Sequence, residues 1–449
     1  MKWVLFAIAL AGLLPLTGWL RQNPLQRPKI WMLMGCLPFL LTALPRLEIG
    51  LIAWPLWPGI ARGIEVSALD VLALAIYLSL PRGGEPLPFK VAMGFYLAAV
   101  LLSAIQAIVP IATIFYVWQL ARVFLVYAVV TKACGDERVA PSLLKGMAIG
   151  LCFEACVVTW DRFHLGVVQA SGTFGHQNLL GLVSHFAFFP FFALLLAGER
   201  GWWPSATSLA GGVIAALSAS RATIGLVGLG LAVLFILSSA RRWTAQKARI
   251  ALFATAAVFV IGLVAASSLE RRFATDPLSD YDERAALVSA SARMLSDFPM
   301  GVGANNFGLV NNTLGYAEEA EIAWTSRAAI VHNIYWLALA ETGYLGFLAL
   351  VILLIRPLFV AFRCSWRNRR DERGDLLIGF GTSLLIIYIH SYFEWVLFTT
   401  QVQYIFAMTI GMVAGIAQQL GYWRTAKVGA FGHHAARDRA DRPAKAFTS

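Results

Sequence analysis

Arg221 interrupts an apolar stretch that would otherwise run from Thr207 to Ser239, and Ser218-Ala219-Ser220 comes just before it. A guanidinium there is costly unless water, a partner or an anionic ligand receives it. A helix beginning just after Arg221 would add its positive N-terminal dipole to that charge, which is how proteins build phosphate sites. The bland alternative is a side chain that snorkels at a helix junction. His332 closes a long polar loop, directly before a helix that starts at Asn333. An imidazole there could cap the helix or be wet, or, with a pKa close to working pH, act as a general base beside a cavity mouth. Glu341, nine residues on in the same apolar helix, needs a partner or water. Glu154 and Arg122, on two other spans, pose the same problem and are expected to pair with each other. His176, in Gly175-His176-Gln177-Asn178, and His390, beside Glu394 near the outer end of the penultimate span, complete the candidates.

Several chemistries find no support. There is no Walker loop, dinucleotide glycine fingerprint, zinc-protease helix or Gly-x-Ser-x-Gly elbow. No metal-ligand set emerges either: Cys152 and Cys156 lie one helical turn apart without a His or further Cys at ligand spacing, and read as small core residues. Asp280, Asp282 and Glu283 form a helix-start cluster before they form a metal site.

The elements that must position these residues are membrane helices. Of 449 residues 59% are apolar and only 14% are charged, well below the roughly 25% charged usual in soluble domains. Apolar runs near the ~20 residues that cross a hydrocarbon core recur along the chain. They are 3–20, 30–45, 91–109, 111–131, 143–160, 179–197, 207–217, 224–239, 250–268, 334–362, 376–389 and 396–420, with a weaker one at 66–80. The runs are continuous rather than alternating, and an open sheet edge cannot be satisfied in lipid. The expected fold is an all-α polytopic membrane protein, a bundle of 12 to 13 transmembrane helices forming one domain over 1–423. A basic tail, 424–449, without an apolar face is expected to be disordered.

The net charge of +11 gathers in alternate connections, at Arg21, Arg27 and Lys29, at Arg241, Arg242, Lys247 and Arg249, and at Arg363 to Arg373. The positive-inside rule puts these on the cytoplasmic side, so nucleic acid is not the implied partner. The long loop 269–331 then faces outward. Within it, 280–296 has apolar residues at helical spacing and reads as an amphipathic helix near the membrane surface, stopped by Asp297-Phe298-Pro299. The segment Asp161 to Asn178 is too polar to span and rich in turn formers.

Taken together, these motifs resemble one family. A Ser-Arg break in mid-chain is followed by Arg284 and Arg293 on the outer-loop helix and by Gly301-Val302-Gly303 with Phe307. His332-Asn333 then opens a long span carrying Glu341 and Gly343-x-x-Gly346. This order, with Gly172-Thr173-Phe174-Gly175-His176-Gln177-Asn178 ahead of its span, is similar to the O-antigen ligase and polymerase superfamily. The resemblance implies a GT-C-like bundle in the bacterial inner membrane and an inverting, metal-independent glycosyltransferase whose site faces the periplasm. The implied donor is a glycan on undecaprenyl diphosphate, with no cofactor. His332 matches the family's activating histidine, and Arg221, Arg284 and Arg293 match arginines that hold the diphosphate. His176, Asn178, Asn333, Glu341, Arg122 and His390 would support them.

Two acceptors are open, lipid A core for a ligase and a second lipid-linked glycan for a polymerase of O-antigen or exopolysaccharide repeats; the reading leans to the ligase. A transporter or flippase is the competing class, with Arg122, Glu154 and Asp70 along a substrate path. It would need no long one-sided loop.

Overall fold

The computed structural model describes residues 2–81, 83, 86–251 and 279–423. The part of the expected 250–268 span beyond Ala251, the start of the long loop and the tail lie outside these residues. The described residues are helical almost throughout. In order come α1 (Lys2–Gln22), α2 (Arg27–Ala43), strands β1 (Glu48–Ala53) and β2 (Gly63–Ser67), then α3 (Ala68–Ser79), α4 (Lys90–Ser103), α5 (Pro110–Ala133) and α6 (Val139–Phe163). After them follow α7 (Gln177–Ala197), α8 (Trp202–Leu217), α9 (Arg221–Arg241), α10 (Ser279–Asp297), α11 (Phe307–Thr313) and α12 (Tyr316–Glu319). The last three are α13 (Ile334–Arg367), α14 (Glu372–His390) and α15 (Thr400–Gln419). Among the described residues seven helices are long and apolar enough to cross a membrane, and α3 and α4 are shorter apolar helices. The protein is an all-α polytopic membrane protein apart from one two-stranded hairpin.

Helix starts follow local chemistry. Pro110 opens α5, where its missing N–H costs nothing. Ser67 caps α3 in a reciprocal box with Asp70, Ser220 caps α9, and Asn333 caps α13 by accepting from the amides of Tyr335 and Trp336. Burial then sorts the bundle. α15 has 89% of its apolar window buried and forms the centre, whereas α1 has 11% and offers most of its surface to lipid. Around α15, α2 packs along α6, α5 along α15, and α7 lies between α14 and α8.

Polar connections collect at the two ends. At one, Arg241 forms a buried ion pair with Asp375 and donates to the carbonyls of Asn368 and Asp371, and Arg373 pairs with Glu137 and Asp371. The other end holds the hairpin, the 164–176 segment, the Ser218-Ala219-Ser220 turn, the 298–333 loop and the 391–399 segment.

The hairpin is a departure from the sequence expectation, which saw no strand. β1 and β2 pair antiparallel, Glu48 opposite Ser67 and Gly50 opposite Glu65. Edge groups here are met by protein: Trp118 Nε1 donates to the Glu65 carbonyl at 2.6 Å and Arg122 Nη1 to the same oxygen at 2.9 Å. The expected pairing of Arg122 with Glu154 is also corrected. Arg122 lies under the hairpin, 3.0 Å from Asp70, 3.3 Å from Glu48 and 2.6 Å from the Tyr404 hydroxyl. Glu154 instead accepts from the Thr173 amide at 3.0 Å and its hydroxyl at 2.5 Å, and so anchors the Gly172-Thr173-Phe174 turn to α6.

Candidate active site

Five connections meet around Glu394, which lies between α14 and α15 with 1% of its side chain exposed. The amide of Ile334 donates to the Ser391 carbonyl at 3.0 Å, which lays the start of α13 against the end of α14. That junction sets His332 beside the carboxylate, with His332 Nδ1 at 3.1 Å from Glu394 Oε2. The other oxygen, Oε1, receives Arg284 Nη2 from α10 at 3.2 Å and Asn178 Nδ2 from the first turn of α7 at 2.5 Å. Arg284 also donates to the Phe393 carbonyl at 2.9 Å. Asn178 accepts in turn from Ser220 Oγ at 2.6 Å, so the residue before Arg221 is tied into the same network.

The electrostatics follow from this geometry. Burial alone would push the Glu394 carboxyl up, but the hydrogen bond and charge of His332, the Arg284 guanidinium and the Asn178 amide hold it below the usual carboxylate range. An ionised Glu394 fixes the tautomer of its neighbour: Nδ1 of a neutral His332 carries the proton toward Oε2, and Nε2 is left with its lone pair. Of the His332 side chain, 28% remains open. His176, the N-cap of α7, is lowered from the ordinary histidine value chiefly by burial, against the opposing charge of Glu394 and with a smaller push from His332 and Arg284.

His332, Glu394 and His176 line one end of an open cleft of about 860 Å³, whose other end is the hairpin with Trp57, Arg62, Glu48 and Glu65. The Gly301 to Phe307 turn braces its wall. Glu341 Oε1 accepts the Phe307 amide at 3.1 Å, while Val302 and Gly303 donate to the carbonyls of Ala340 and Glu341 at 2.8 and 2.9 Å. Those carbonyls are free because α13 breaks at Gly343, whose φ of 63° suits glycine. Asn305 extends the brace to the hairpin loop, with Ala61 N–H and C=O at 3.0 and 2.7 Å.

The structure thus brings together His332, Arg284 and Asn178, with His176 on the same cleft and Arg221 next to Ser220. It puts the other candidates elsewhere. Arg293 pairs with Glu319 on an exposed face. His390 is fully buried against His185, Nδ1 to Nε2 at 3.4 Å. Asn333 is a cap, Glu341 a brace, and Arg122 the support of the hairpin. Sequence reasoning noted Glu394 only as a neighbour of His390 and passed over Glu48 and Glu65. A carboxylate at the end of an apolar span was the available signal for Glu394.

A family model described as O-antigen ligase matches residues 206–351, a segment that contains Arg221, Arg284, Arg293, His332 and Glu341. Over that segment the chain is similar to the O-antigen ligase family. It is also similar to the exopolysaccharide production protein ExoQ of Rhizobium meliloti (strain 1021), 27% identical over 262 residues, which cover 54% of this chain and 59% of that protein. Asn178 and Glu394 fall outside the family-matched segment, so the network described above joins that segment to α7 before it and to the 391–399 segment after it.

Proposed function

We propose that this protein transfers a glycan from a lipid diphosphate carrier, undecaprenyl diphosphate, to a sugar hydroxyl, at the periplasmic face of the bacterial inner membrane. The observation that carries the proposal is the convergence of His332 and Arg284 on the two oxygens of Glu394 at the mouth of a polar cleft. His332 Nε2 takes the proton of the acceptor hydroxyl as its oxygen attacks the anomeric carbon. The bond from that carbon to the diphosphate oxygen breaks, and one displacement inverts the configuration. The leaving diphosphate carries its charge to Arg284 and to Arg221 at the N-terminus of α9. A diphosphate is already a good leaving group, so no metal is required by this route. The periplasmic orientation rests on the arginine-rich connections at the opposite end of the bundle. Arg293, which pairs with Glu319 on an exposed face and does not join the Glu394 network, is left out of the diphosphate set.

The acceptor has two readings, each with its own support. The family model's description favours ligation onto lipid A core; the exopolysaccharide relative, matched over more of the chain, favours extension of a second lipid-linked glycan. The test is transfer by purified protein in detergent with undecaprenyl-diphosphate glycan and each acceptor in turn. His332→Ala is expected to lose about 10² to 10⁴ of the rate, the range of a general base. Arg221→Ala is expected to lose transfer as well. Wild-type activity in both variants would refute the assignment.

A further inference from the structure

The cleft does not end at the base. The whole cleft encloses about 860 Å³, within the roughly 300–1,000 Å³ of small-molecule sites, and reaches a second set of polar groups on the hairpin and the first turn of α15. We propose that this far end, lined by Glu48, Arg62, Glu65 and Gln401, is a saccharide subsite that holds the acceptor glycan by its neutral hydroxyls; this rests on the transferase reading above.

The chemistry selects the ligand class. Arg122, 5% exposed, supports the carboxylates from beneath, bonding Glu48 Oε1 at 3.3 Å and Asp70 at 3.0 Å, while Glu48 and Glu65 keep 21% and 30% of their side chains open. Two guanidinium groups thus stand against three carboxylates, so the patch is close to neutral and selects neither a phosphate nor a bare cation. It offers instead fixed acceptors, the donors of exposed Arg62, and the mixed amide of Gln401, the set that pairs with hydroxyls which both donate and accept. Glu48 and Glu65 are also hydrogen-bonded to each other, and burial and then the Glu48 charge push Glu65 up to about 7, so near neutral pH the pair can share a proton and present a donor as well. Trp57 adds an apolar indole for a sugar face. The position favours the acceptor over the donor. His332 lines the cleft together with Glu394, whereas neither Arg221 nor Arg284, the diphosphate-binding pair of the proposed route, lines it.

The test uses the full chain in detergent micelles, with neutral glucose- and galactose-based tetrasaccharides as one probe and undecaprenyl diphosphate as the other. Binding is read from tryptophan fluorescence, since Trp54 and Trp57 flank the subsite, and checked by saturation-transfer NMR. Arg62→Ala and Gln401→Ala leave the Arg122 network intact, and Glu65→Gln keeps shape; thermal unfolding confirms that each is folded. Expected is a tetrasaccharide Kd raised by about tenfold in these variants, with undecaprenyl diphosphate Kd within about twofold of wild type. Unchanged tetrasaccharide binding in all three, or none in wild type, overturns the subsite. If it fails while Arg221→Ala weakens undecaprenyl diphosphate binding, the transferase reading survives alone. Hairpin-dependent sugar binding with no undecaprenyl diphosphate binding supports the subsite and removes the transferase reading.

Discussion

Glu394 orients three side chains from three separate elements through two oxygens. Replacing it by Gln removes the charge that fixes the His332 tautomer and pairs Arg284, so transfer should fall by about 10²-fold or more while donor binding weakens less. Its titration has a definite sign. Held below the ordinary carboxylate value, Glu394 stabilises the fold fully above the free-carboxylate pKa of about 4.3 and loses that contribution as pH falls through the lowered native value. The Tm gap between wild type and Glu394→Gln should therefore stay level from about pH 8 to 5 and close in more acidic buffer. A gap that is unchanged at acid pH would mean that the carboxylate is not the titrating partner. Arg293→Ala, by contrast, breaks only an exposed pair, worth about 0–1 kcal/mol, and transfer assays should find its activity near wild type. At this scale the sequence was informative where a charge was stranded in an apolar run, as at Arg221 and Glu341. It was silent on pairing, because Arg122 meets Asp70, Glu48 and Tyr404 while Glu154 meets Thr173, and local spacing does not say which distant residues come together.

The element that fixes the cleft wall is the turn from Gly301 to Phe307. Gly301 has φ of 86°, and a Cβ there would overlap the backbone of Glu341. Gly301→Ala should cost about 1–3 kcal/mol in thermal unfolding and lower transfer as the wall shifts. Glu341→Ala removes the acceptor of the Phe307 amide, again about 1–3 kcal/mol, and Glu341→Gln should recover part of that loss because its amide oxygen can still accept. If Glu341→Ala unfolds like wild type, the brace is not made. Long elements were legible: the runs at 111–131, 179–197 and 334–362 fall within α5, α7 and α13, and the amphipathic pattern at 280–296 within α10. The hairpin was not, since six and five residues give too little alternation to separate strands from a polar loop.

Across the whole molecule, Arg122 joins the hairpin, α3, α5 and α15 in one buried network. Arg122→Met strands Asp70 and Glu48 without a cation and should cost about 3–5 kcal/mol, with altered Trp54 and Trp57 fluorescence as the hairpin loosens. An unaltered Tm would show the pair to be replaceable by packing. Membrane class was readable from composition alone, because lipid permits so few backbone solutions; the convergence of five connections was not, because local periodicity carries no information about which loop ends meet. That convergence also has a bearing on biosynthesis. Asn178 and Glu394 are 216 positions apart and His332 is 62 before Glu394. A chain made from its N-terminus threads α7, α9 and α13 into the bilayer, and leaves α10 outside it, before Glu394 has even been translated. On the transfer mechanism proposed above, nascent and truncated chains would lack an oriented base, and activity would appear only once the last spans are inserted.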